Sequence, residues 1–194
     1  MTSFEFVLLL ISTLPEQRIE GRTKLQKVAY FFSLQLGLDR SLDYRPHFYG
    51  PYSSEIAEAA SSLVALGFLT ESIRTGVFDD KGFEHKKYAY ALTEEGKEAV
   101  AIISKTVKDG LAQKLQEMAN QFKTIIETDY VPLSYAAKVF WLTKGHPLPE
   151  EDIQDKAKTT GWDLDGSQIS GAIGFLANLK DTGFQPMVHV MTET

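Results

Sequence analysis

The chain has 194 residues, with 20 Lys and Arg against 26 Asp and Glu, a net charge of −6, 43% hydrophobic residues and no cysteine. Such a composition can build a core, which excludes global disorder, and the lack of thiols excludes disulfides, thiol catalysis and thiolate metal sites. It fits a reducing, cytoplasmic setting, and the acidic balance gives no overall attraction to a polyanion.

The run Phe4 to Leu14 is apolar but too short to span a bilayer. No basic residue precedes it and no small-residue cleavage site follows, so it reads as a buried first helix rather than a leader, and no membrane partner is expected. A second helix is predicted from about Arg22 to Leu36, where Leu25, Val28, Ala29, Phe32 and Leu36 keep helical spacing and Gly37 follows as a C-cap. Tyr44 to Tyr49 suggests a short edge strand limited by Pro46, and Gly50-Pro51 a turn. Ser53 or Ser54 then caps a third helix over 54–67, with Ile56, Ala59, Ala60, Leu63 and Leu66 inward.

Over 68–92 two strands flank a polar loop containing Gly76, Asp79, Asp80, Lys81 and Gly82. In the second strand Tyr88, Tyr90 and Leu92 alternate with alanines, and Thr93 caps a helix whose first turn holds Glu94 and Glu95. Helix, strand, loop, strand, helix is the layout of a winged helix. From Glu94 to Glu127 apolar residues recur at steps of three and four: Val100, Ile103, Val107, Leu111, Leu115, Met118, Phe122 and Ile125. This stripe reads either as one face on the chain's own core or as a homodimer seam, with Asp109-Gly110 as a break. Further helices are expected at 133–143, 149–160 and 167–180, the last with Ile169, Ile173, Phe175, Leu176 and Leu179 inside. The predicted fold is mainly α with a small β component (α+β). It comprises a winged helix-turn-helix unit (1–96), a connecting helix (97–130) and a C-terminal helix-turn-helix-like unit (131–194).

Two blocks carry a resemblance. Gly21-Arg22-Thr23-Lys24-Leu25-Gln26-Lys27-Val28-Ala29-Tyr30-Phe31-Phe32 and Phe48-Tyr49-Gly50-Pro51-Tyr52-Ser53 resemble the YwgA-type family of poorly characterised prokaryotic proteins. They are more distantly similar to the Panacea, or SocA-like antitoxin, domain, which has a comparable Lys-Leu-Gln-Lys helix and a later Tyr-Gly-Pro turn. The second strand with Leu92-Thr93-Glu94-Glu95-Gly96 is similar to winged-helix regulators of the MarR and PadR kind. The resemblance implies a winged-helix-like domain and, by analogy, binding of DNA or of a protein; it transfers no catalytic residue.

Two binding surfaces are therefore expected. For duplex DNA, the phosphate contacts would be Arg22, Lys24 and Lys27 on the second helix and Arg74, Lys81, Lys86 and Lys87 on the wing. The presumed reading helix argues against this: its outward set is Ser54, Glu55, Glu58, Ser61, Ser62 and Ala65, with two carboxylates and no cation. For a protein partner, as in an antitoxin or adaptor, the surface would be Arg45, His47, Tyr49 and Tyr52 with Glu55 and Glu58, since Tyr and Arg are enriched at interfaces. No phosphate loop, nucleophile elbow or His-x-x-x-His pair occurs, and Asp163-Leu164-Asp165-Gly166 lacks the downstream spacing of a calcium loop, so no catalysis, metal or cofactor is expected.

Overall fold

In the computed structural model of the protein, residues 1–78, 84–107 and 110–186 are described, with the side chains of 76–86 left aside. The molecule is mainly helical and holds a small antiparallel sheet.

The first helix, α1 (Ser3–Thr13), is apolar on every face, and such a helix can only be stable if it is surrounded. Phe6 to Ile11 are all buried, packed among the helices and strands described next. At about 1.5–3 kcal/mol for each large apolar side chain removed from water, this one segment anchors the core. Its start is fixed by a capping box, in which Glu5 N–H donates to Thr2 Oγ1 and Thr2 N–H to Glu5 Oε2. Strand β1 (Arg18–Glu20) follows, an element the sequence pattern does not announce, and then α2 (Arg22–Leu36). The expected strand at Tyr44–Tyr49 does not form; Arg45 and Tyr52 make one isolated bridge, closing a turn instead.

Helix α3 (Ser54–Ala65) starts at Ser53, whose Oγ accepts from Ile56 N–H, and it presents the outward set expected from its sequence, but Leu66, expected inward, is the C-cap and is exposed. Strands β2 (Leu69–Phe78) and β3 (Glu84–Leu92) form a hairpin, and β3 lies in the centre with β1 on its other side. The pairing aligns Leu69 with Leu92 and Arg74 with Lys87. At the hairpin base Thr93 caps α4 (Glu94–Thr106), accepting from Gly96 N–H and donating to Gly67 O. Gly96 is required there: a Cβ would run into the Phe68 carbonyl oxygen and into Leu92.

The long helical pattern resolves into α4, α5 (Leu111–Gln121) and α6 (Lys123–Glu127). Asp109 lies outside the described residues. Leu115, Met118, Phe122 and Ile125 are buried in the chain's own core, and Val100, Ile103 and Val107 pack against it. Helices α7 (Tyr130–Thr143), α8 (Glu150–Thr159) and α9 (Gly166–Asp181) complete the chain. Helix α7 serves two cores: Leu133, Ala136, Ala137 and Phe140 join the main one, while Val139 and Leu142 join a smaller one with Ile153, Ala157, Trp162, Leu164 and Ile169. Ile173, expected inside, is exposed. Asp165 is the N-cap of α9, in a capping box with Gln168.

Candidate interaction site

The residues from Arg45 to Tyr52 form a short knuckle that stands on α2 and α7. Arg45 and Tyr52 exchange both backbone hydrogen bonds, at 2.8 and 2.9 Å, and Gly50 N–H donates to His47 O at 2.8 Å. Four side chains fix this backbone from beneath. Gln26 is engaged twice, its Nε2 donating to Ser53 O and its Oε1 accepting from Ser53 N–H, both at 2.9 Å. Lys27 Nζ donates to Pro51 O at 2.6 Å, Ser53 Oγ to Leu42 O, and Trp162 Nε1 to His47 O at 2.7 Å. Gly50 lies against α7 at φ +92, where a Cβ would stand 3.1 Å from Lys138 Cγ and 3.3 Å from Ser134 O. Both the backbone angle and the close approach call for glycine.

The outer face of the knuckle is aromatic. Phe48 is 74% exposed and Tyr49 46% exposed, with ring centroids 5.0 Å apart. Tyr49 also meets the exposed Tyr130 at 6.5 Å, and His47 stacks with Tyr52 at 5.0 Å. Two neighbouring rings are thus exposed on a backbone held by hydrogen bonds. Arg45 is turned toward Asp43, with its NH2 2.9 Å from Oδ2. Glu55 and Glu58 are exposed on the adjoining α3. All six residues expected on the partner surface therefore belong to the knuckle or to the helix that follows it.

The basic residues divide differently. Lys27 is buried, 1% exposed, and the solvent side of α2 is left to Arg22 and the half-buried Lys24. Arg22 is committed within the chain: its NH2 is 2.9 Å from Glu71 Oε1, its Nε donates to Tyr90 OH at 3.2 Å, and its guanidinium lies 3.7 Å from the Tyr88 ring centroid. Burial pushes the Tyr90 phenol up to about 12. Arg74 and Lys87 are exposed on paired positions of the hairpin. Lys81 and the Lys86 side chain lie outside the described residues.

Two buried lysines flank Gly50. Burial and then the charge of nearby Lys138 lower Lys27 from an ordinary 10.5 to about 7. Lys138 is itself lowered by burial, against the opposing pull of Asp163, and its Nζ lies 5.6 Å from the Trp162 ring centroid. Among the described residues no carboxylate pairs with Lys27. Beside it, between α2, α3 and the knuckle, opens a cavity of about 210 Å³. Sequence reasoning missed Gln26, Lys27, Lys138 and Trp162 as supports of the knuckle. The one available signal was the run Leu25–Phe32, apolar on both sides of Gln26 and Lys27, which implies a helix buried nearly all round.

Among the described residues no cluster of three His, Asp or Glu side chains could hold a metal ion, and no helix is long and apolar enough to cross a membrane. No family model matches the chain. Over 79 residues it is 42% identical to the uncharacterised protein YwgA of Bacillus subtilis (strain 168). The match takes in 40% of this chain and 43% of that protein, so the chain spans less than half the length of the curated relative it matches. The identity supports a YwgA-like relationship.

Proposed function

We propose that the protein is a winged-helix-like, non-catalytic interaction module that docks a protein partner on the knuckle and the adjoining face of α3. The observation that carries this reading is the pair of exposed rings, Phe48 and Tyr49, on a backbone clamped by Lys27, Gln26 and Trp162. Aromatic anchors that are already ordered lose little entropy on binding and are the residue types in which interface energy concentrates. Glu55 and Glu58 beside them favour a partner segment that combines apolar and basic side chains. The antitoxin-like or adaptor-like role implied by the Panacea resemblance belongs to this class.

The charge distribution speaks against duplex DNA as the first choice. Helix α3 offers carboxylates where bases and phosphates would lie, Lys27 is enclosed, and Arg22 is held by Glu71. Arg74 and Lys87 on the hairpin keep a transcription-regulator reading testable. The experiment combines fluorescence anisotropy on a random-sequence duplex with affinity capture from the source cytoplasm, using wild type, Tyr49→Ala and Lys87→Glu. The module reading expects no salt-dependent duplex binding, and partners that are retained by Lys87→Glu but lost by Tyr49→Ala. Duplex binding that falls steeply with salt and is lost in Lys87→Glu, with Tyr49→Ala neutral, overturns it.

A further inference from the structure

The cavity between α2, α3 and the knuckle has a one-sided chemistry. Its walls include the cations Arg22 and Lys27, the hydroxyl groups of Thr23 and Ser61, and the rings of His47, Tyr49 and Tyr52, and among the described residues no carboxylate lines it. Leu25, Ala57 and Ala60 give it an apolar floor. Lys27 is the unusual member. Its ammonium has three donors, of which one meets Pro51 O. Enclosing an ammonium without a counter-charge is costly, and a second cation, Lys138, faces it from α7. Arg22, which also lines the cavity, is held by Glu71 at 2.9 Å, so among the described residues Lys27 is the cation of this cavity without a carboxylate partner.

We propose that this cavity binds a small oxyanion-bearing molecule, narrow enough to enter where a duplex backbone cannot, its carboxylate or phosphate directed at Lys27 and its body lying against Leu25, Ala60 and the tyrosine rings. The anion supplies the counter-charge that no carboxylate among the described residues provides for Lys27. The cavity shares Tyr49 and Tyr52 with the proposed docking face, but binding of a small anion in it needs no protein partner.

The test uses full-length protein with 13C-labelled lysine ε-carbons, observed by NMR. Three probes are titrated: hexanoate, phenyl phosphate, and the neutral amide hexanamide. The Lys27 resonance is identified by its absence from the spectrum of Lys27→Met. The expected result is a saturable change at Lys27 with hexanoate or phenyl phosphate, and a rise of its midpoint by about one pH unit or more, because a bound anion favours the protonated amine. Hexanamide should give no saturable change. The stronger of the two anions identifies the head group. Ser61→Phe, at an exposed position on α3 that lines the cavity, should abolish the response while leaving the melting temperature near wild type. The inference is overturned if neither anion moves Lys27, if hexanamide matches hexanoate, or if Ser61→Phe binds as wild type does.

Discussion

Replacing Lys27 with Met removes the buried ammonium while keeping most of the side-chain volume, and the effect should depend on pH in a defined direction. In the folded chain Lys27 sits at about 7, against 10.5 in the open. Between those values the unfolded chain binds more protons than the folded one, so the Lys27 contribution to stability improves as pH rises through the window. At about 1.4 kcal/mol per pH unit, the penalty carried in full below pH 7 is on the order of 5 kcal/mol and falls to roughly 1 kcal/mol at pH 9.5. Against this, the variant loses the bond to Pro51 O, and a buried carbonyl left without its donor costs about 1–3 kcal/mol. The variant should therefore exceed wild type by about 2–4 kcal/mol at pH 6.5, and the two should become level or change order by pH 9.5. Urea unfolding followed by circular dichroism at pH 6.5, 8 and 9.5 measures this. Arg22 and His47 face the same region in both proteins, and the difference between the two curves reports Lys27 together with its charge coupling to Lys138. A difference that stays constant across the three pH values would refute the idea that a charged group is enclosed here.

Gly96→Ala should lower stability by about 3 kcal/mol or more in the same unfolding assay, because the added methyl meets the Phe68 backbone rather than a side chain that can turn away. Trp162→Phe removes the donor to His47 O at the cost of about 1–2 kcal/mol; the carbonyl still accepts from Gly50 N–H, so it is not left bare. Hydrogen exchange should then report a faster Gly50 amide, and an unchanged rate would show that the indole does not hold the knuckle.

Much of the local architecture was legible because it rests on short-range rules. The predicted span of α2 coincides with the observed Arg22–Leu36, and Ser53 and Thr93 cap α3 and α4 as their side-chain chemistry requires. The outward face of α3 followed from its periodicity. The stripe from Val100 to Ile125 left two readings open, and the backbone breaks between α4, α5 and α6 turn its apolar residues into the chain's own core. Strand β1 escaped notice because three residues carry no period. Lys27 was read as a surface cation because a lysine among apolar neighbours has the same pattern whether its head reaches water or is enclosed. Only the return of Pro51 and Gly50 over α2, with α7 behind them, decides between these. Trp162 meets His47 across 115 residues, a separation that no local pattern encodes.

That last contact also sets an order of assembly. Helices α2 and α3 and the turn between them are complete within the first third of the chain, but the indole that holds His47 emerges from the ribosome almost a hundred residues after α3 ends. Until α7 and the connection between α8 and α9 have packed, the Phe48 and Tyr49 rings ride on a turn that lacks two of its supports, so the surface acquires its final shape late, by contacts of high sequence separation. A partner that recognises the finished knuckle would thereby discriminate fully folded chains from nascent ones, and shortening the chain from its C-terminal side would impair recognition before it disturbed the helices that carry the rings.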